Sequence, residues 1–472
     1  MAASPTATHI GVITLAIMNV TTVVSLGGLP SEAKYGLAAV FYYLVAAVFF
    51  LVPVAMVAAE LATGWPDRGG VYRWVSEAFG ELYGLIAIFA LWLSFTVMFP
   101  SCLIYGASAL AFAGPNLSWD EALAANKHYV VAIVLFLYWS ATFLAMRGTR
   151  VVARVAKWGG LIGTIIPAGL LIALGVIYFY SGRPMYVEIG WKDFFPDLTK
   201  IDNLVLAAGI FLCYAGIEMN AVHVAQIDAP SKNYPLAILI AAVLTLVIYA
   251  LGTLTIALII QPGQIDLTQS LLVTYRDFFT VFGLPVHGML IDIALALGAF
   301  SATILWISGP SCALTVVRSA GYLPPFLQHL NAHDIPTRIL LLQGGLVSLL
   351  TLVFVLMPSV EATFQILNQL CTSLYLLMYI LMLAAAIRLR YSQSDRSRPF
   401  SVPGGLTGMW LLAGCGILMS AVAFLLSFFP PSQVSVGSPV KYSLILLLCF
   451  LAALSLPLAI YRFARPDWKP PC

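Results

Sequence analysis

The sequence predicts an all-α polytopic membrane protein with twelve transmembrane helices, on three observations. Of 472 residues, 61% are hydrophobic and only 9% charged, roughly a third of the charge usual in soluble domains. The apolar residues gather into twelve runs, at 10–33, 36–62, 84–113, 129–146, 158–181, 203–227, 234–260, 285–317, 339–357, 362–387, 407–429 and 441–462. Each is about the ~20 residues that a helix needs to cross a bilayer. The basic residues are also lopsided. With Met1 in the cytoplasm, sixteen of the 23 Lys and Arg fall on that side, among them Arg147, Arg150, Arg154, Lys157, Arg388, Arg390, Arg396 and Arg398. By the positive-inside rule both termini are then cytoplasmic. So little charge excludes a soluble enzyme, a disordered chain and a nucleic-acid-binding protein, and a net charge of +3 is too small to suggest a polyanionic partner. Residues 1–9 contain no Lys or Arg, so the first run is expected to stay as a span rather than be cleaved as a signal peptide.

Taken in order, two of the twelve runs are interrupted. The first contains Ser25-Leu26-Gly27-Gly28-Leu29-Pro30, where paired glycines and a proline make a continuous helix costly. The second runs unbroken to Glu60 at its cytoplasmic edge, and the third to fifth are continuous. The sixth contains Cys213-Tyr214-Ala215-Gly216-Ile217-Glu218. The remaining six are continuous, and the longest polar stretches between runs (114–128, 182–202, 261–284, 318–338, 388–406) are loop-sized, leaving no room for a soluble domain. Unpaired backbone is tolerated in hydrocarbon only where it faces protein, water or ligand. Breaks five helices apart are what an inverted five-helix repeat would show, and in secondary transporters such breaks line the midplane substrate site.

Few ionisable residues fall inside spans. Glu218 follows the sixth-run break, and a carboxylate at that depth should be neutral, paired or facing water, which makes it a candidate gating or proton-responsive residue. Asp292 lies about two turns into the eighth run, where a partly hydrated place in an outer vestibule accounts for it. Trp306 in the eighth run and Tyr375 and Tyr379 in the tenth are interior aromatics. The two tyrosines are four apart and share a helix face, although packing is the ordinary role of an aromatic in a membrane helix. The seven cysteines are scattered singly, so neither a metal site nor a disulfide framework is expected. No GxSxG, HExxH or P-loop motif occurs, so an enzyme is not expected and no cofactor is called for.

Several stretches carry a family resemblance: Ala59-Glu60-Leu61-Ala62-Thr63 with Gly69-Gly70-Val71-Tyr72-Arg73-Trp74-Val75; Tyr214-Ala215-Gly216-Ile217-Glu218 with Asn233-Tyr234-Pro235-Leu236-Ala237; Gly309-Pro310-Ser311 with Gly321-Tyr322-Leu323-Pro324. Together they resemble the amino acid–polyamine–organocation (APC) superfamily over essentially the whole chain. Ala153-Arg154-Val155-Ala156-Lys157, Phe194-Phe195-Pro196-Asp197, and Pro399-Phe400 ahead of Pro403-Gly404-Gly405 are most similar to its bacterial glutamate/GABA antiporter group.

The resemblance implies a LeuT-like fold with a 5+5 inverted repeat: 1–200 as the first five-helix repeat, 201–406 as the second, and 407–472 as two peripheral helices with a short cytoplasmic tail. It implies that Ser25, Leu26, Gly27 and Gly28 cradle the substrate's carboxylate and amine. It also implies that Tyr214, Gly216 and Trp306 belong to the substrate site, and that Glu218, Tyr375 and Tyr379 act in gating or proton response. Two features differ from relatives. No Lys or Arg occurs in 158–182, where proton-coupled members carry a lysine, and Ala302-Thr303 stands one turn before Trp306 where glutamate/GABA exchangers are expected to carry an acid. No C-terminal plug is expected after the twelfth span. The expectation is an inner-membrane amino acid antiporter exchanging an amino acid for another or for its decarboxylation product. A proton-coupled uptake symporter and a non-transporting membrane sensor of the same fold are the alternatives. The expected partners are small-molecule amino acids and the lipid bilayer, with no nucleic acid, and a homodimer stays open.

Overall fold

A computed structural model describes residues 11–66, 69–196, 201–219, 227, 229–283, 287–353, 355, 359–430 and 438–469. In chain order the helices are α1 (Val12–Val23), α2 (Leu29–Ala33), α3 (Ala38–Gly64), α4 (Val71–Phe79), α5 (Glu81–Phe112), α6 (Leu117–Ala124), α7 (Lys127–Ala145), α8 (Arg150–Tyr180), α9 (Trp191–Phe194), α10 (Ile201–Cys213), α11 (Pro230–Ile259), α12 (Ser270–Val281), α13 (His287–Ala320), α14 (Thr337–Val353), α15 (Val360–Ser392), α16 (Gly405–Leu426) and α17 (Pro439–Phe463). Among the described residues nine helices are long and apolar enough to cross a membrane, or ten when the bent pair of α1 and Leu26–Ala33 counts as one. This is two below the expected twelve. The ninth run forms α14, an apolar helix of 17 residues, and the sixth falls only in part within the described residues.

The layering follows burial. α5 and α15 are central, with 72% and 78% of their most apolar windows buried, against 28% for α16 and 17% for α17 at the periphery. α5 packs chiefly on α13 and α15. The outer helices present Leu411, Leu418, Leu425, Leu444, Leu448 and Leu451 outward, as a lipid-facing surface requires. α8 and α13 approach closely because Gly163 and Gly298 meet backbone to backbone, leaving no space for a Cβ on either. Small residues at such crossings allow the close packing that drives association in lipid.

Two long helices carry a π-helical turn, Ala47–Leu51 in α3 and Leu161–Ile165 in α8. Each is followed within two residues by a proline, Pro53 and Pro167. Proline has no N–H to donate and its ring crowds the carbonyl four residues back, and a widened turn relieves that crowding.

Charge clusters at the ends of the helices. Near the end of α3, buried Glu60 accepts from Nε and Nη2 of Arg390 on α15 at 2.6 and 2.5 Å, and from the Val402 amide at 2.7 Å. This ties α3 to α15 and to the segment before α16. At the other end of the fold, Arg276 of α12 donates to the carbonyls of Phe112 and Gly114 and to Asp120, which covers the unpaired carbonyls at the end of α5.

A buried pair that loses one partner leaves an uncompensated charge. Glu60→Ala should lower stability by about 3–5 kcal/mol, read as an earlier melting transition in detergent. The double replacement of Glu60 and Arg390 by apolar residues should melt later than Glu60→Ala alone. A double variant no more stable than the single would show that the pair is not the controlling contact.

Candidate transport site

The first span breaks as its glycines require. α1 ends at Val23, and Val24 and Ser25 run extended. Leu26–Gly28 form a 3₁₀ turn and α2 begins at Leu29, bent 41° from α1. Pro30 sits in the first turn of α2, where the missing N–H would have no helical partner anyway. Gly27 is fixed by space: a Cβ there would lie 2.9 Å from the Tyr105 ring. At Gly28 a Cβ would meet only Cys213 Sγ, at 3.6 Å. Gly28 therefore tolerates a methyl group, and Gly27 is the position that does not.

The sixth-run break starts where α10 ends at Cys213. The chain turns through residues 214–218, with Gly216 at φ +105, a conformation that side chains disfavour. Residues 220–226, including His223, lie outside the described residues.

Tyrosine hydroxyls take up much of the backbone that the breaks leave unpaired. Tyr249 of α11 accepts from the Ser25 amide at 3.0 Å and donates to the Val23 carbonyl at 2.8 Å, bridging the first break. Tyr379 accepts from the Gly216 amide at 2.9 Å and donates to Glu218 Oε2 at 2.5 Å. Tyr375 donates to Glu218 Oε1 at 2.8 Å. Tyr214 donates to the Tyr43 carbonyl at 3.1 Å, and Tyr43, Tyr214 and Tyr249 form a ring cluster with centroids 5.7–6.2 Å apart.

Between the breaks lies a cavity. Ser25, Gly27, Gly28, Gly216, Trp306 and Tyr375 all line it. It offers about 110 Å³ to the centres of water-sized spheres. One water needs roughly 10–15 Å³ by that measure, so the space suits a small amino acid. An aromatic series walls one side, Trp306 to Phe95 at 6.0 Å and Phe95 to Tyr375 at 5.6 Å, with Tyr379 behind Tyr375 at 5.0 Å.

Four of the expected residues face elsewhere. Leu26 points into a smaller void against α8 and α13. Tyr214, Tyr379 and Glu218 are buried behind the cavity, with both oxygens of Glu218 taken by the two tyrosines. Asp292 is not partly hydrated but fully buried (0% exposed), and neither of its carboxyl oxygens has a hydrogen-bond partner.

Sequence reasoning passed over a polar wall. Gln365, Asn368 and Gln369 of α15 line the cavity beside Glu32 of α2 and Ser101 of α5, and Ser101 donates to Asn368 at 2.5 Å. Gln365, Asn368, Gln369 and Thr372 recur at helical spacing on the face that continues to Tyr375 and Tyr379. That stripe within an apolar helix was the available signal. Glu32 is an acid inside the first run, and depth alone marked it.

Comparison with known proteins places these features. A family model described as amino acid permease matches residues 10–451. The chain belongs to the amino acid permease family, within the APC superfamily. An uncharacterized transporter of Legionella pneumophila is 36% identical over 443 residues, covering 94% of this chain and 93% of that protein. A glutamate/gamma-aminobutyrate antiporter of Lactococcus lactis is 30% identical over 438 residues, 92% of this chain and 86% of its own length. A probable agmatine/putrescine antiporter of the same species is 23% identical over 378 residues, 79% of this chain and 78% of that one. This permease is thus a multi-pass membrane protein and an amino acid transporter, with small molecules as its substrates.

Tyr249→Phe removes one hydroxyl and strands two backbone groups of the first break, the buried Val23 carbonyl and the part-buried Ser25 amide, a buried group being worth about 1–3 kcal/mol when unpaired. The variant should melt several degrees lower and lose transport. Gly27→Ala should likewise impair transport by displacing the Tyr105 ring, while Gly28→Ala is tolerated. Equal effects at the two glycines would show that steric space does not govern the break.

Proposed function

We propose that this permease is an amino acid antiporter of the inner membrane, with cytoplasmic termini and alternating access through the cavity between the two breaks. The observation that carries this reading is the cavity itself, walled by backbone of both interrupted spans and by Trp306 and Tyr375. Its helices are assigned to twelve spans, with 1–200 and 201–406 as inverted five-helix repeats and 407–472 peripheral. The burial of α5 and α15 against the exposure of α16 and α17 supports that division.

Gly27 and Gly28 bring main chain to the cavity without a Cβ, so an amino acid carboxylate can reach backbone N–H groups there. Trp306 and Tyr375 shape the pocket and close on the apolar part of the substrate. Glu218 joins the sixth-span break to α15 through two tyrosine hydroxyls, so movement of either element is felt by the other. Exchange, rather than one-way uptake, is supported by the two Lactococcus relatives, a glutamate/gamma-aminobutyrate antiporter and a probable agmatine/putrescine antiporter.

Counterflow in proteoliposomes tests the reading. Labelled amino acid should enter only slowly into empty vesicles and much faster into vesicles preloaded with unlabelled substrate. Uptake that is driven by a proton gradient and indifferent to preloading would make the protein a symporter, and ligand binding without flux would make it a sensor. Trp306→Ala should raise the half-saturating substrate concentration about tenfold or more with little change in melting temperature. Gly28→Leu, whose side chain extends beyond the free Cβ position into the cavity, should abolish flux while the protein still folds.

A further inference from the structure

Glu32 is the most deeply placed acid on the cavity wall. It is 1% exposed, lies in the second half of the first span, and lines the same space as Gly27, Gly28 and Trp306. Its Oε2 has no hydrogen-bond partner, and no basic side chain among the described residues forms an ion pair with it. The nearest lysine in sequence, Lys34, reaches across to Glu361 of α15 instead, at 3.4 Å. Facing the same cavity, Gln365 Nε2 and Gln369 Oε1 also lack partners. Gly209 of α10 keeps the site open, since a Cβ there would stand 3.2 Å from Glu32 Oε1.

Buried polar groups are nearly always hydrogen-bonded, and a buried charge without a counter-charge is strongly unfavourable. Two unmatched acceptors lining one cavity, a carboxylate oxygen of Glu32 and the amide oxygen of Gln369, are the imprint of a missing donor group. An ammonium group fits: it is cationic and carries three N–H donors, which suit a carboxylate oxygen and an amide oxygen together. Main chain at Gly27 and Gly28 lines the same space one helical turn earlier in the first span, and it suits a carboxylate. Resting on the transport reading above, we propose that Glu32, with Gln369, is the subsite for the ammonium end of the substrate. The substrate class is then an ω-amino acid or a primary diamine, with its cationic nitrogen at the end remote from the group held at the first-span break. A substrate whose remote end is a carboxylate is disfavoured by the same acid.

The test is the ratio of counterflow for labelled γ-aminobutyrate to that for labelled glutamate, measured on one proteoliposome preparation, with putrescine and butyrate as competitors. The wild-type protein should favour γ-aminobutyrate and be inhibited by putrescine but not by butyrate. In Glu32→Gln, which keeps the size and removes the charge, the ratio should fall at least tenfold, the order expected for losing a hydrogen bond to a charged group, and putrescine inhibition should weaken in parallel. Gln369→Met, of similar volume, should shift the ratio in the same direction by severalfold. It serves as the readout should Glu32→Gln fail to fold. An unchanged ratio in a folded Glu32→Gln, or in Gln369→Met where that variant is the readout, overturns the subsite and leaves the transport reading intact. A flux that requires sodium, is lost in Glu32→Gln and keeps its ratio in Gln369→Met would put a metal cation at Glu32 and also overturn it. Absence of flux for every amino acid and amine in the wild type overturns the transport reading itself.

Discussion

Everything at the centre of this protein depends on one constraint: backbone unwound within hydrocarbon has to find partners that a helix would have supplied. Two spans are unwound, and their main chain lies among buried side chains and along one cavity. The chain meets the demand largely with tyrosine. Tyr249 spans the gap between Val23 and Ser25, and Tyr379 receives the Gly216 amide while donating to Glu218. A phenol suits this duty because its hydroxyl both donates and accepts, and because its ring packs as well as any apolar side chain. The unwound backbone of both breaks is thereby hydrogen-bonded by side chains on either side of the cavity.

The same arrangement explains why helices distant in sequence converge here. α3, α11 and α15 each send a tyrosine toward a break, through Tyr43, Tyr249 and Tyr379. α5 contributes Phe95 and Tyr105, and α13 contributes Trp306. α5 and α15 must be central for this to work. The peripheral helices α16 and α17 touch none of it and can spend their surface on lipid.

Much of this could be read in the residues before any coordinates. Ser25-Leu26-Gly27-Gly28-Leu29-Pro30 announces a break because glycine and proline are the two residues a buried helix least accommodates, and the twelve apolar runs follow from length and hydropathy alone. What stayed hidden depends on which way a side chain turns. Leu26, Tyr214, Tyr379 and Glu218 sit within a few residues of cavity-lining positions yet face away, and a turn with φ +105 at Gly216 has no helical period from which to infer facing. Asp292 reads as a vestibule residue from its depth, and only packing by neighbouring helices buries it completely. Glu32 and the Gln365, Asn368, Gln369 stripe were visible as polar residues in apolar runs, but their meeting across one space is a tertiary fact. Gly28 and Gly27 read alike in sequence, and the Tyr105 ring alone distinguishes them.

The widened turns in α3 and α8 have a geometric result. An extra residue in one turn rotates everything beyond it by about 100° around the helix axis relative to an unbroken α-helix. α3 therefore behaves as two half-rods with separately set azimuths. One half aims Tyr43 at the tyrosine cluster, while the other aims Glu60 at Arg390 and the Val402 amide. A regular helix of the same sequence could not satisfy both appointments, because correcting one facing would swing the other out of reach. By storing that offset locally, a single inserted residue lets the two ends of one rod answer to different neighbours.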